Sequence, residues 1–544
     1  MTVRGSEHDF IVIGAGSSGC VVANRLSAVG AGTVLLLEAG GTANSLLHKI
    51  PLAATKLWFN PKTSWSLWTD PEPGLDGRRL PVPRGKGLGG SSAINGTVYN
   101  RGSPSDYDQW SDLGLDGWDY ASLLPYFRRI EDHWRGADAH HGSGGEAPVS
   151  PLRTPSRLTP YVLDAVRQMG WPVTDDLMGE CPEGIGLSDL HVDRRGRRSS
   201  AYDAFIAPIT SRDALEIQTG ALVHRVLIED GRAVGVEYSR DGARWIARAR
   251  REVILSGGAI ASPEILLRSG IGPTEELTSL GIATVHDLPG VGRNLTDQPG
   301  ASFEVACKQP FTSTHDLRID RFARAMVQWA AGRGGIGAGP PMVAVGSVRT
   351  RPECRTPDLR VTVTGATMAS KVWWPGFGPP PPHRFMVSFA VAHPKSRGSI
   401  TLASADPSTP PRIVYNVLTA DADIVQIRRG YRSLRELIAK PALADIAGDI
   451  VRPATEPADE RELDQYLRSV AGTTSHPMGS CKMGVGADAV VDGECRVRGL
   501  AGLRVVDASV FPTQISGNPH ATAMMLGAKV CDMILGRPPL QAAA

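Results

Sequence analysis

Three glycines near the N-terminus have the spacing of a turn that binds phosphate. They lie in the segment GAGSSG at Gly14, Gly16 and Gly19, after the apolar run at residues 10–13 and before a helical stretch at residues 20–26. The first glycine permits a tight turn, the second lets a pyrophosphate approach the backbone, and the third lets helix and strand pack closely. The phosphates would face free N–H groups at the start of the helix. The pattern therefore predicts dinucleotide binding.

An acidic residue stands at the distance that this interpretation requires. Glu38 ends a second apolar run, which starts at Thr33, and it follows Gly19 by roughly 20 residues. At the end of a second strand its carboxylate can accept hydrogen bonds from the ribose of an adenosine. NAD and FAD both carry that group, so these residues leave the choice between them open.

Two histidines near the C-terminus lie where the backbone is constrained. His476 precedes Pro477, which biases its backbone towards an extended conformation, so its ring can be aimed at a ligand from the head of a turn. Asn518 and Pro519 have the residue types preferred at a helix N-cap and first position, which places His520 in the first turn. The helix dipole disfavours an added proton there, so we expect His520 to be neutral.

Three further segments identify a family. They are RGKGLGGSSAINGTVYNR at residues 84–101, GAIASPEILLRSGIG at 258–272, and the combination of SHPMG at 475–479 with LRVVD at 503–507 and NPHA at 518–521. Together with the N-terminal loop, they resemble the glucose–methanol–choline (GMC) oxidoreductase family over essentially the whole chain. The resemblance implies an enzyme that uses FAD and oxidises an alcohol, with hydride transfer to the flavin.

The resemblance also implies a set of FAD contacts, from the adenine near Val223 to the ribityl-phosphate portion near Asp507 and Ala508. The residues expected to bind the cofactor are Gly14, Gly16, Ser17, Ser18, Gly19, Glu38, Trp65, Arg84, Gly89, Gly90, Ser91, Asn95, Gly96, Thr97, Val98, Val223, Ala259, Asp507, Ala508 and Ala521. Ile94 occupies the position at which some relatives carry a histidine that tethers the flavin. We therefore expect non-covalent FAD.

His476 and His520 are the catalytic residues that the resemblance implies. His476 accepts the hydroxyl proton while the alcohol carbon gives up its hydride, and His520 hydrogen-bonds the same oxygen. Oxygen or another redox partner then restores the flavin. Two alternatives stay open: a redox-silent lyase of the hydroxynitrile lyase type on the same fold, and a flavin-binding protein without activity, which the presence of both histidines disfavours. The particular alcohol, the electron acceptor and the oligomeric state do not follow from the sequence.

An aromatic segment suggests the kind of alcohol. Trp373 and Trp374, with Phe377 nearby, precede a proline run at residues 379–382. Such rings would offer a flat apolar wall to a neutral primary alcohol of aromatic or moderate apolar character, in preference to a sugar or a quaternary ammonium. The competing interpretation is that the rings only pack the lobe or its surface.

The expected fold is α/β for a Rossmann-type FAD-binding lobe and α+β, with an antiparallel sheet, for a substrate-binding lobe. The FAD-binding lobe is expected to comprise residues 1–149, 214–298 and 491–544, and the substrate lobe residues 150–213 and 299–490. Ser262 and Pro263 have the types of an N-cap and a first helical residue, so a helix is expected to begin there.

Bulk properties exclude several classes of protein. The chain has 544 residues, a formal charge of +2 and 21% charged residues, which gives no argument for nucleic acid or an anionic membrane surface. It has no apolar run long enough for a membrane span and no apolar core of a signal peptide near Met1. Seven scattered cysteines fit neither a disulfide framework nor a zinc site, and His140 and His141 have no second ligand cluster. A cytoplasmic location without a metal is expected.

Overall fold

A computed structural model describes residues 4–28 and 30–542. Its strands, in chain order, are β1 (Arg4–Ile13), β2 (Val34–Glu38), β3 (Leu67–Trp68), β4 (Pro81–Val82), β5 (Val98–Tyr99), β6 (Glu131–His133), β7 (Ala147–Pro151), β8 (Gly184–Gly186), β9 (Asp189–Leu190), β10 (Leu215–Thr219), β11 (Leu222–Glu229), β12 (Arg232–Arg240), β13 (Ala243–Leu255), β14 (Ile271–Gly272), β15 (His286–Asp287), β16 (Pro299–Cys307), β17 (Met342–Val348), β18 (Leu359–Thr364), β19 (Arg384–Val391), β20 (Ser399–Thr401), β21 (Arg412–Val414), β22 (Ala447–Arg452), β23 (Gly472–Thr473) and β24 (Leu503–Val505).

The helices, in the same order, are α1 (Ser17–Leu26), α2 (Leu46–Lys49), α3 (Ala54–Trp58), α4 (Pro104–Asp112), α5 (Tyr120–Ile130), α6 (Thr159–Gln168), α7 (Gly258–Arg268), α8 (Thr274–Ser279), α9 (Ser313–Asp316), α10 (Ile319–Ala330), α11 (Asp421–Ile438), α12 (Glu460–Val470) and α13 (Pro519–Ile534).

A seven-stranded sheet forms the first lobe. Its order is β10-β2-β1-β13-β12-β11, and β24 adds to β13. The pairs among β10, β2, β1, β13 and β24 are parallel, whereas β12 pairs antiparallel with both β13 and β11. Strand β2 is buried along its whole length, as expected for a parallel strand covered on both faces. The predicted Rossmann-type lobe is confirmed.

The second lobe is built on an antiparallel sheet with the order β22-β16-β19-β18-β17-β8, to which β23 adds beside β16. Strands β16 and β18 alternate between buried and half-buried residues, so one face of the sheet packs into a core and the other is left partly open. Helices α6, α11 and α12 contact this sheet. The predicted α+β character is confirmed, while the lobe boundaries given above remain a prediction.

The C-terminal helix ties the end of the chain to its beginning. Helix α13 packs against α1, and nearly every residue of α13 up to Asp532 is buried. The helix that follows β13 begins five residues earlier than predicted: α7 starts at Gly258, so Pro263 lies inside it and Ser262 is not its N-cap. The Ser262 hydroxyl instead donates to Asp507 at 2.6 Å. A tertiary partner explains the serine better than local capping.

Two properties of the described residues bear on the setting of the protein. None of their helices combines the length and the apolar character that a bilayer span requires. All seven cysteines are unpaired, and four of them are buried.

Candidate active site

A cavity of about 720 Å³ lies where the two lobes meet. On one side it is bordered by residues at the carboxyl ends of parallel strands, including Ile13, Glu38 and Ser256. On the other side it is bordered by residues 473–477 of the second lobe. The carboxyl edge of a parallel sheet is the usual place for a nucleotide, and the volume is in the range of roughly 300–1,000 Å³ found for ligand sites.

The N-terminal loop is shaped for close approach. Gly14 has φ +96°, in the left-handed region that favours glycine. A Cβ at Gly19 would stand 1.9 Å from the carbonyl oxygen of Gly14, so only glycine lets α1 pack against this turn. A Cβ at Gly90 would lie 2.8 Å from the Cα of Gly16, which brings the second glycine-rich segment against the first. The two loops form one cradle of backbone.

Glu38 holds that cradle together from within. Its carboxylate accepts hydrogen bonds from the N–H groups of Ala15 at 3.0 Å, Gly40 at 2.8 Å and Gly87 at 3.0 Å. Burial raises the pKa of Glu38, and these three bonds oppose that rise. The residue also lines the cavity. Glu38 therefore joins three loops by its hydrogen bonds and borders the space expected to hold the ligand.

Most of the predicted cofactor residues line the cavity. They are Gly14, Gly16, Ser17, Ser18, Glu38, Trp65, Arg84, Gly90, Ser91, Asn95, Gly96, Thr97, Val98, Val223, Ala259, Asp507 and Ala508. Gly19, Gly89 and Ala521 are not part of its wall. Gly19 packs against the turn, Gly89 donates its N–H to the carbonyl of Ala15 at 2.7 Å, and Ala521 is buried in the first turn of α13.

Asp507 joins the end of the first lobe's sheet to the start of α7. Its carboxylate accepts from the N–H of Gly258 at 2.9 Å, from the Ser262 hydroxyl and from the N–H of Ser509 at 2.8 Å. Burial raises the pKa of Asp507, and the hydrogen bonds act in the opposite direction. No local pattern indicated this junction, because Ser262 lies 245 positions from Asp507 in the chain.

His476 lines the cavity, and its ring is held from both ends. Its Nδ1 lies 3.0 Å from Oε1 of Gln298, 2.9 Å from the Thr474 hydroxyl and 3.3 Å from Nη1 of Arg360. Its Nε2 lies 2.9 Å from Nδ2 of Asn518. Burial lowers the pKa of His476 well below its ordinary value, and Arg360 adds to that effect. The imidazole is therefore neutral near pH 7.

The neighbours of His476 select one of its two neutral forms. Gln298 donates from Nε2 to the carbonyls of Ala392 and Ile515, both at 3.2 Å, which leaves its Oε1 as an acceptor towards His476. Asn518 accepts from Arg360 at Oδ1, at 3.1 Å, which turns its NH₂ group towards Nε2. The consistent assignment has the proton on Nδ1 and a lone pair on Nε2. That form can accept a proton from a ligand.

The backbone before His476 is in an uncommon conformation. Ser475 has φ +62°, which is strained for a residue with a side chain. Its carbonyl accepts from Nη2 of Arg84 at 2.9 Å. Residue types alone indicated the bias from Pro477 but neither this left-handed residue nor its contact with Arg84, which is 391 positions away in sequence.

His520 also lines the cavity, but both ring nitrogens already have partners. Nδ1 lies 2.7 Å from the Ser17 hydroxyl, and Nε2 lies 3.0 Å from Nδ1 of His191. The expected neutral state is confirmed, because the pKa of His520 is lowered to about 4. The largest cause is burial, followed by Arg198, and not the helix dipole invoked from the sequence. No motif in the sequence indicated a role for His191.

Asn518 is a functional candidate that the sequence presented only as a helix cap. It does hold the N-cap position of α13, yet its side chain makes no capping hydrogen bond. Its side-chain amide instead accepts a hydrogen bond from Arg360 at Oδ1 and donates one from Nδ2 to His476. Arg360 and Gln298 were also missed, since each comes from a strand or loop of the second lobe with no motif around it.

The cavity wall does not include the predicted aromatic residues, so the aromatic wall remains a prediction. Neither Trp373 nor Trp374 belongs to the residues that line the cavity. The Trp373 indole donates to the carbonyl of Thr314 at 2.8 Å, which anchors its loop. Trp374 is 57% exposed and Phe377 is 89% exposed. The competing interpretation, that these rings belong to the packing and surface of the lobe, fits their positions.

The residues fit FAD. Two glycine-rich turns leave backbone open to a pyrophosphate, with no atom within 4 Å of a Cβ built on Gly96 or Gly258. Val223, whose backbone is expected to meet the adenine, lines one part of the cavity, and His476 lines another. No group of three or more ligand-type side chains within residues 4–28 and 30–542 could hold a metal ion.

Comparison with known proteins identifies related sequences along almost the whole chain. Two family models, both described as GMC oxidoreductase, match residues 8–300 and 394–527. An oxygen-dependent choline dehydrogenase of Pseudomonas putida strain KT2440 is 41% identical over 542 residues, which cover 98% of this chain and 95% of that protein. One from Vibrio vulnificus strain YJ016 is 38% identical over 541 residues, with coverage of 98% and 95%.

Solved structures give the same result for the fold. Pyridoxine 4-oxidase from Mesorbium loti superposes with a TM-score of 0.87 at 28% identity, over 97% of this chain and 99% of that one. A formate oxidase superposes with a TM-score of 0.90 at 27% identity, over 98% and 99%. These relatives are named dehydrogenases and oxidases, which does not favour the lyase alternative.

Proposed function

The chain belongs to the GMC oxidoreductase family and is an FAD-dependent enzyme that oxidises an alcohol; we propose that it converts a primary alcohol to an aldehyde with His476 as the base. The observation that carries the proposal is the fixed tautomer of His476. A neutral imidazole borders the cofactor cavity with its proton on the Gln298 side and its lone pair on Nε2. Such a group is suited to remove a hydroxyl proton.

Bound FAD supplies the hydride acceptor, and the side chains manage the proton. In the proposal the substrate hydroxyl replaces the Asn518 amide as the donor to Nε2 of His476. The proton on Nδ1 stays there, donated to Oε1 of Gln298, so the ring becomes a cation when Nε2 takes up the hydroxyl proton. Burial disfavours that cation, and its low pKa makes the ring return the proton readily once the product leaves.

A second residue is needed to hold the alcohol oxygen in line. The family resemblance assigns that role to His520. His520 would have to release Ser17 or His191 to fulfil it, because both of its ring nitrogens are hydrogen-bonded. Asn518 gives up only its bond to Nε2 of His476, and its NH₂ group is then beside the hydroxyl that replaces it. We therefore propose that Asn518 shares this role with His520.

The proposed FAD contacts are the residues that line the cavity, with Glu38 at the adenosine end and Asp507 near the ribityl-phosphate portion. FAD is proposed to be held non-covalently, supported by Ile94, which borders the cavity with an aliphatic side chain. The cytoplasm is the proposed compartment, supported by seven unpaired cysteines. Oxygen is the first electron acceptor to test, because the relatives are named oxygen-dependent.

The test is anaerobic titration of the purified flavoprotein with separate alcohols, with the flavin absorbance as the readout. Choline belongs in the panel because of the relatives' names, beside benzyl alcohol, a medium-chain alkanol and glucose. The proposal predicts bleaching by at least one alcohol and formation of the corresponding aldehyde. Bleaching at an unchanged rate in His476→Ala would show that another group removes the proton.

A further inference from the structure

Arg360 is a cation inside the second lobe that lacks an anionic partner. Its hydrogen-bond acceptors are neutral, Oε1 of Gln298 at 3.2 Å and Oδ1 of Asn518 at 3.1 Å, and its Nη1 lies 3.3 Å from Nδ1 of His476, which carries a proton and cannot accept. Among the described residues, no carboxylate oxygen comes within ion-pair distance of it. Charges that are shielded from water are normally paired, so an arginine in this position calls for a counter-ion.

The charges around Arg360 do not balance. Arg84 is a second guanidinium near His476, and it donates to the backbone carbonyls of Pro83 and Ser475. Asp297 is the carboxylate that acts on both arginines; burial raises its pKa to about 6, so above that pH it offsets one of the two positive charges. Asp106 also acts on Arg360 but pairs with His393 at 2.6 Å. The surroundings of His476 are therefore electropositive.

Arg360 also belongs to the open face of the antiparallel sheet. In β18 it alternates with buried residues, and it is itself half-buried, although burial lowers the pKa of its guanidinium to about 10. Arg360 is not among the residues that line the cavity, but it contacts His476 and Asn518, which are. The same face carries Thr362, which pairs across the sheet with Ser388, and Ser388 pairs with Ser302. Hydroxyls beside a guanidinium suit a small polar anion better than an apolar ring.

We propose that Arg360 binds a carboxylate of the substrate, which makes the alcohol a short hydroxy acid. The proposal rests on the proposed function, because it assumes that His476 takes the hydroxyl proton. Only the Asn518 amide separates Nε2 of His476 from Arg360, through contacts of 2.9 and 3.1 Å. The hydroxyl and the carboxylate must therefore be a few carbons apart.

The chemistry balances with the established cofactor. The carbinol carbon loses a hydride to FAD, its hydroxyl loses a proton to His476, and a carbonyl forms. The carboxylate is neither formed nor consumed, and it only anchors the molecule. A quaternary ammonium in the same place would face Arg360 and Arg84 and be repelled.

The experiment compares hydroxy acids with their uncharged amides on the holoenzyme. Glycolate is paired with glycolamide and 3-hydroxypropionate with 3-hydroxypropionamide, with choline as a cationic reference. We expect kcat/KM for the better acid to exceed that of its amide by roughly 10- to 100-fold, the size of a charge-assisted hydrogen bond. In Arg360→Gln the acid-to-amide ratio should fall to about one; both rates can drop, because Arg360 also orients Asn518 beside His476, so the ratio is the readout. Arg360→Lys should keep part of the preference because the charge remains.

A binding measurement gives a second readout that needs no turnover. Propionate, which has no hydroxyl, should perturb the flavin spectrum of the holoenzyme saturably, and the effect should vanish in Arg360→Gln. Arg78→Gln is the matched control: Arg78 is half-buried, binds only the carbonyls of Arg468 and Ala471, and lies outside the cavity wall. It should leave both the acid preference and propionate binding unchanged.

The outcomes separate the two proposals. An acid that is no better than its amide, or an equal slowing of both by Arg360→Gln, would overturn the carboxylate assignment while oxidation of any alcohol keeps the proposed function. Failure of every alcohol to bleach the flavin would reject the proposed function. In that case, propionate binding to the wild type and its loss in Arg360→Gln would still test whether Arg360 binds a carboxylate.

Discussion

The tautomer of His476 can be tested through Gln298. In Gln298→Leu the Nδ1 proton of His476 loses the carbonyl oxygen that accepts it at 3.0 Å. A buried donor left without a partner costs about 1–3 kcal/mol, and each 1.36 kcal/mol is a factor of ten in rate. The Thr474 hydroxyl, 2.9 Å from Nδ1, can take over part of the bond, which places the effect in the lower part of that range. We expect flavin reduction to slow by roughly 5- to 50-fold.

The assay is anaerobic stopped-flow reduction at saturating substrate, repeated across pH. In the wild type the rate should rise with pH only below about 6.5 and be constant above it, because the base must be neutral and its pKa is lowered well below the usual value. Gln298→Glu restores an acceptor for Nδ1–H and adds a negative charge. It should recover most of the rate and move the acidic limb to higher pH.

Gln218→Leu is the matched control, since Gln218 is a buried glutamine that accepts from the Tyr238 hydroxyl at 2.9 Å, away from the cavity. It should leave the reduction rate unchanged. If Gln298→Leu reduced its flavin within twofold of the wild-type rate, with full FAD content, the assignment of the proton to Nδ1 would be wrong. The same conclusion would follow if Gln298→Glu left the pH profile where it was.

The other predictions address the histidines, the cofactor and stability. His476→Ala should slow flavin reduction by roughly 10²–10⁴-fold with FAD retained, and His520→Asn should be milder; a larger loss at His520 would reverse the two roles. Glu38→Ala should lose FAD on extended dialysis while the remaining holoenzyme turns over normally, because three loop N–H groups lose their acceptor; full occupancy would count against this. Acid precipitation should release the flavin into the supernatant, because Ile94 offers no nucleophile, and yellow protein in the pellet would contradict that. Burial lowers the folded-state pKa values of His191, His476 and His520, so the unfolded chain binds protons first; Tm should fall as pH drops below about 6.5, and fall less in His520→Asn, as calorimetry would reveal.

Local sequence was sufficient for the nucleotide-binding part of this protein. The spacing of Gly14, Gly16 and Gly19, the apolar runs on either side and the position of Glu38 predicted a strand, a turn, a helix and a second strand. The structure has all four, as β1, the loop, α1 and β2. Such a unit is predictable because its constraints are local: a tight turn, a close approach and a buried strand each restrict residue type at one position.

Motif resemblance carried the prediction further, to FAD, alcohol oxidation and His476. Prediction from residue type was unreliable where one residue type is compatible with more than one structural role. Ser262 looked like an N-cap, but a carboxylate 245 positions away explains it. Trp373 and Trp374 could equally pack a lobe or line a site, and only the folded chain shows that neither belongs to the cavity wall. The residues around an aromatic side chain in the sequence do not show whether it packs in a core or lines a site.

What only the tertiary structure decided is the electrostatic setting of the base. His476, Gln298, Arg360 and Asn518 come from four separated parts of the chain, and none of their contacts follows from sequence spacing. Which nitrogen of His476 carries the proton depends on how Gln298 and Asn518 are turned, and that depends on the carbonyls and the guanidinium they meet. Hydrogen-bond direction is a property of groups brought together by folding, so the sequence could name the histidine but not its chemical state.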